Sequence, residues 1–133
     1  KAILEENAKL EISEKIFTHE KQSAKTIFEV ELNGKGASAK ITSRSVASDS
    51  SHQDFISKVT GNAECFAHVE CDAIIKDNAI VTSDPKIVAN HTDARLIHEA
   101  TIGKIAGEQL IKLMTLGLSK EKAEETIIEG FLK

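Results

Sequence analysis

The stretch Thr26-Ile27-Phe28-Glu29-Val30-Glu31-Leu32, followed by Asn33-Gly34, decides how the first hundred residues read. Phe28, Val30 and Leu32 fall on one side and Glu29 and Glu31 on the other. That two-residue period is the mark of a half-buried strand, and Asn33-Gly34 is a tight-turn dipeptide. Runs of the same kind recur at Leu10 to Ile12, Ala37 to Thr42, Phe55 to Val59, Glu64 to Glu70, Ala79 to Val81 and Ala94 to Ile97. Many short strands joined by short turns indicate a sandwich, a barrel or a β-solenoid.

Loose internal similarity favours the solenoid. Gly34-Lys35-Gly36-Ala37-Ser38-Ala39 and Gly61-Asn62-Ala63-Glu64-Cys65-Phe66-Ala67 both launch strands rich in small residues. Interior positions occupied by Ala, Val, Ile and Cys suit the narrow inside of a coil whose rungs stack directly. A coil also leaves end faces and strand edges that need a cap or a partner.

The pattern changes after Glu99. From Thr101 to Leu116, the residues Ile102, Ile105, Ala106, Leu110, Leu113 and Met114 share one helical face, and Gly117 supplies a stop. Ser119 is a good N-cap for a second helix with Ala123, Ile127, Ile128 and Phe131 as its apolar stripe. Its other face is covered by Lys120, Glu121, Lys122, Glu124, Glu125 and Glu129, so this second helix is expected to be the more exposed. The chain thus divides into β rungs over 1–99 and a helical subdomain over 100–133.

The 133 residues include 17 basic and 21 acidic side chains, a net charge of −4, with 41% apolar and 29% charged residues. These values suit one soluble domain. An acidic balance with five Phe and neither Trp nor Tyr argues against nucleic acid as a partner. No apolar run approaches the roughly 20 residues of a membrane span. Two cysteines are too few for a disulfide scaffold, so the cytoplasm is the expected compartment. The first residue is Lys1 rather than Met, which reads as a fragment of a longer chain or a naturally short paralogue.

Motifs for catalysis are missing. Gly34-x-Gly36-x-x-Ala39 precedes a strand, where a dinucleotide loop requires a helix. Neither a Walker A sequence nor a nucleophile elbow is present, so an enzyme is not expected. In a continuous strand Cys65, Ala67, Val69 and Cys71 share an interior face, with Phe66, His68 and Glu70 opposite. Two readings stay open: buried cysteines as small hydrophobes with His98-Glu99 as a helix-start cap, or Cys71, His98 and Glu99 meeting at a metal. Thiolate, imidazole and carboxylate together suit iron.

Gly61-Asn62-Ala63-Glu64-Cys65, His68-Val69-Glu70-Cys71-Asp72 and His98-Glu99-Ala100-Thr101-Ile102-Gly103-Lys104-Ile105 together resemble the C-terminal portion of SufB and SufD. These are the paired scaffold proteins of the SUF iron–sulfur cluster assembly system. The tail Glu108-Gln109-Leu110 with Met114, Gly117-Leu118-Ser119, Ala123 and Ile127-Ile128-Glu129-Gly130-Phe131 is similar to the family's closing helices. The resemblance implies a mainly β fold, a right-handed parallel β-helix followed by a short two-helix subdomain. It implies a nascent, transient iron–sulfur cluster bound by Cys71, Glu99 and His98. It further implies docking of the SufC-type ABC ATPase on the C-terminal helices, around Ile127, Ile128 and Phe131. Pairing with a SufB/SufD paralogue or a second copy would use the β-helix edge. Glu99, where SufD-type members commonly carry Gly after the histidine, makes the chain the more SufB-like. The other expectation is a structural interaction module, degenerate or SufD-like, that binds the ATPase or dimerises without holding metal.

Overall fold

A computed structural model describes residues 1–133. Eight strands alternate between two parallel sheets: β1 (Ala2–Leu4), β2 (Lys9–Thr18), β3 (Ser23–Leu32), β4 (Ser38–Ala47), β5 (His52–Gly61), β6 (Cys65–Ile75), β7 (Ile80–Ala89) and β8 (Ala94–Gly103). One sheet has the order β1-β3-β5-β7 and the other β2-β4-β6-β8. The chain therefore winds as a parallel β-solenoid, the fold expected from the sequence, in four turns of two strands each.

The rungs stack in continuous register. Ser23 lies against His52 and His52 against Ile80, steps of 29 and 28 residues. Asn33-Gly34 is a corner between the two sheets. A Cβ at Gly34 would stand 1.9 Å from the Glu6 amide nitrogen, so the rung below leaves no room for a side chain there. The register corrects one detail of the internal similarity. Gly61 stacks on Leu32, not on Gly34, and Asn62 stacks near Asn33. The Asn90 amide donates to Asn62 Oδ1 and the Asn62 amide to Asn33 Oδ1, both at 2.7 Å, which ties three turns together.

The opposite corners are joined by carboxylates. Glu20, Asp49 and Asp77 all adopt the left-handed conformation, at φ of 55°, 58° and 55°. The Glu20 N–H donates to Asp49 Oδ2 at 2.7 Å, and the Asp49 N–H donates to Asp77 Oδ2 at 3.2 Å. The strained turns at Glu20 and Asp49 are thus each completed by the turn after.

The apolar core occupies the corner-side half of the coil, where Leu4, Val30, Leu32, Ala39, Ile41, Val59, Ala67 and Val69 are buried. Towards the other corners the interior turns polar. Thr18, Ser43, Ser45, Ser51, Gln53 and Ser57 are all buried, and the Gln53 amide donates to Thr18 Oγ1 and to the Val46 carbonyl.

Two helices follow, α1 (Gly107–Thr115) and α2 (Lys120–Leu132). The first begins later than its apolar spacing predicts, because Thr101 to Gly103 extend β8 in register with Asp72 to Ile74. Gly117, at φ 95°, closes α1: its N–H and that of Leu118 reach the Met114 and Leu113 carbonyls. Ser119 caps α2 by accepting the Lys122 N–H at 3.2 Å.

The expected ranking of the two helices is reversed. α2 packs on β4, its Ala123 fully buried, and Val46, which points outward from β4, is covered. Lys76 pairs with Glu124 at 2.7 Å, and Lys15 donates to the Lys133 carbonyl. α1 buries no residue, leaving Ile111, Met114 and the adjoining Leu116 exposed. Sequence charge on α2 marked its solvent side correctly except at Glu124, half-buried against Lys76; what it could not show is that α1 rests mainly on α2 and buries no residue.

Candidate functional site

Alternation along β6 sends Cys65, Ala67, Val69, Cys71 and Ala73 into the coil and His68, Glu70 and Asp72 out. Both cysteines are free and buried, as the sequence predicts. Burial pushes both thiols up from their ordinary value.

Cys71 sits in a layer of stacked interior residues. Glu14 of β2 lies below Ser43 of β4, Ser43 below Cys71, and Cys71 below Ala100 of β8. The facing wall carries Thr26, Phe55 and Ser83 in the same order. Glu14 accepts hydrogen bonds from Thr26 Oγ1 at 2.8 Å and Ser43 Oγ at 2.7 Å. A hydrogen-bonded carboxylate therefore stands inside the coil, two rungs from the thiol. Its nearness adds to the upward push on Cys71, while the Ser83 hydroxyl works the other way.

His98 lies on the last rung, directly above Val69 and pointing inward. Cys71 is its diagonal neighbour, a Cα separation of roughly 8 Å from ordinary strand spacing and rise. Both ring nitrogens are shielded from solvent and neither has a hydrogen-bond partner. Burial, with the nearby His68 adding to it, lowers the imidazole below its ordinary value and favours a neutral ring with one lone pair to offer. Such an orphaned group costs free energy unless something binds it.

Glu99 faces the other way. It projects from the outer surface beside Glu70, and its Oε2 lies 3.1 Å from His68 Nε2. The structure therefore sets Cys71 and His98 on the inside of the coil, diagonal to each other on adjacent rungs, and Glu99 apart on the outside. No group of three or more His, Cys, Asp or Glu side chains is arranged to hold one metal ion. Thiol and imidazole suit an iron–sulfur ligand pair in chemistry; the carboxylate is on the wrong face in this conformation.

Glu14, Ser43, Thr26, Ser83 and His68 were not singled out from the sequence. Alternation alone would have placed each on its face, but no motif marks them.

The last rung has no successor. The inward side chains of β7 and β8, Val81, Ser83, Ile87, Leu96 and Ile102 among them, meet no further turn, and Ile87 and Ile102 are exposed. The site thus lies beneath an open end of the coil. The sequence matches the family described as "SUF system FeS cluster assembly, SufBD core domain" over residues 2–131.

The chain belongs to the SufBD family. An iron–sulfur cluster assembly SufBD family protein of Methanocaldococcus jannaschii is 35% identical over 131 residues, 98% of this chain and 42% of the relative. One from Pyrococcus horikoshii is 34% identical over 132 residues, covering 98% and 40% respectively. The iron–sulfur cluster assembly protein SufB of Bacillus subtilis is 41% identical over 69 residues, half of this chain and 15% of that protein. The chain spans less than half the length of these SufBD relatives. The family is one of SUF iron–sulfur cluster assembly.

Proposed function

We propose that this chain is the cluster-holding end of a SUF scaffold, with a nascent iron–sulfur cluster as its substrate rather than a resident cofactor. One observation carries the reading: the two shielded, unpartnered nitrogens of His98 belong to an inward side chain diagonal in register to the buried Cys71, under the open end of the coil. Cys71 supplies thiolate and His98 a neutral imidazole, donors that iron accepts. Glu99 joins them only if β8 moves, because a strand shows neighbouring side chains to opposite faces. The chain acts in the cytoplasm and holds its substrate without turning it over.

The free edges of β7 and β8 are the pairing surface for a SufB/SufD-type partner or a second copy, since unpaired parallel edges invite another strand. The SufC-type ATPase docks on the helical subdomain. Ile127, Ile128 and Phe131 are half-buried, whereas Ile111, Met114 and Leu116 on and after α1 stand free. The dock accordingly includes the α1 face.

Anaerobic reconstitution of the intact complex with ferrous iron and sulfide, followed by visible absorption, tests the substrate. Charge-transfer absorption is expected for the parent chain and its loss for Cys71→Ala. Equal absorption in both overturns the assignment of Cys71.

The outward turn of Glu99 favours a second reading, an interaction module that retains the ATPase and holds no metal. It predicts a colourless complex in which Ile128→Asp weakens ATPase retention.

A further inference from the structure

Around Cys71, the hydroxyl groups differ in what they are free to do. Ser43, directly below, donates its proton to Glu14. Thr26, on the facing wall, donates to the same carboxylate. Both protons are committed away from the sulfur. Phe55, between Thr26 and Ser83, has nothing to donate.

Ser83 is different. It points inward from β7 in the same layer as Cys71, its Oγ is shielded from solvent, and it has no hydrogen-bond partner. Ser83 continues the wall of Thr26 and Phe55 that faces Cys71 across the coil, and its hydroxyl works against the upward push of burial on the thiol. A buried hydroxyl without a partner costs free energy comparable to a lost hydrogen bond. A charged sulfur accepts more strongly than a thiol does, so the orphan is accounted for if its acceptor is the sulfur in its anionic, ligand-bearing form.

We propose that Ser83 is a positioning residue for Cys71, donating its hydroxyl proton to the sulfur and aiming it towards the open end where His98 lies. This rests on the reading of Cys71 as a cluster ligand, and names a residue of this chain that would set the sulfur's direction. Hydrogen bonds to ligand sulfurs are a general means by which proteins tune iron–sulfur sites. The hydroxyl keeps its proton throughout; no bond forms or breaks.

The test needs no iron. The native chain is treated with iodoacetamide at one fixed, mildly alkaline pH, and alkylation of Cys71 and Cys65 is followed separately by peptide mass spectrometry. Ser83→Ala is expected to slow Cys71 by about tenfold, the scale of one hydrogen bond to a charged group. Ser83→Thr, which keeps the hydroxyl, is expected to restore the rate to within about twofold, with Cys65 unchanged in both. An unchanged or faster Cys71 in Ser83→Ala, a Ser83→Thr as slow as Ser83→Ala, or equal slowing of Cys65 each overturns the proposal. If Ser83→Ala slows Cys71 and Ser83→Thr restores it while the parent chain takes up no cluster, the role of Ser83 stands and the cluster assignment falls.

Discussion

His68 Nε2 lies 3.1 Å from Glu99 Oε2 on the outer face of the coil, so Glu99 is tied down on the side away from Cys71. His98, its neighbour in the chain, points inward. The neighbours His98 and Glu99 are therefore split by the wall of the coil, one on each side.

Glu99 is 66% exposed, so its pair with His68 is screened by water and contributes little to folding. Glu99→Gln is expected to shift stability by less than about 0.5 kcal/mol, read from the urea midpoint. Any loss of cluster assembly in that variant then reports on function rather than unfolding.

His98 is held neutral by burial, its folded pKa lying below the ordinary imidazole value of 6.5. A depressed folded pKa means the stabilising contribution is complete above the unfolded value and is lost as pH falls through the folded one. His98→Leu should flatten this acid limb. Urea midpoints compared between about pH 7 and pH 5 should fall less for the variant than for the parent. Identical slopes would show that His98 takes up its proton as readily in the folded chain as in the unfolded one.

Ile41 is fully buried in the centre of the apolar half of the coil. Ile41→Ala is expected to cost about 2–5 kcal/mol, from lost burial and the cavity left behind. A urea titration gives the value directly.

Ala123 has no exposed surface where α2 meets β4. Ala123→Glu would bury a charge between α2 and β4 and is expected to release α2. Limited proteolysis should then cut near Gly117 to Ser119, while the strand signal in circular dichroism stays unchanged. Undiminished resistance to cleavage would mean that α2 is held chiefly through Lys76–Glu124 and the Lys133 carbonyl.

Ile111 is 63% exposed on α1. Ile111→Asp should leave stability within about 0.5 kcal/mol of the parent. It should also reduce retention of the SufC-type ATPase on a column. Full retention removes α1 from the dock.

The eight-stranded coil was legible where apolar side chains alternate with polar ones, as in Thr26 to Leu32 or Glu64 to Glu70. It was legible only in fragments where the interior itself is polar. Ser43, Ser45, Gln53 and Ser57 are buried, so the alternation that would have carried β4 and β5 to their full ten residues fades midway. β8 was cut short for another reason. Ile102 and Ile105 also fit a helical spacing, and pairing with β6 decided for the strand. At the site, the inward faces of Cys71 and Cys65 followed from the period of two. Reading His98-Glu99 as the start of a helix concealed that the same period separates them. Ser83 and Glu14 gave no signal, since a lone polar residue in a strand shows its use only when the opposite wall is known.

The carboxylate ladder at Glu20, Asp49 and Asp77 gives the coil a temporal order. The N–H of each turn finds its acceptor on a residue 29 or 28 positions further along, so a turn emerging during synthesis is unfinished until the next rung has been made. Strand pairing obeys the same separation throughout. Folding of this region is then a nearest-neighbour growth process, in which each completed rung locks its predecessor and none must wait for the distant end of the chain.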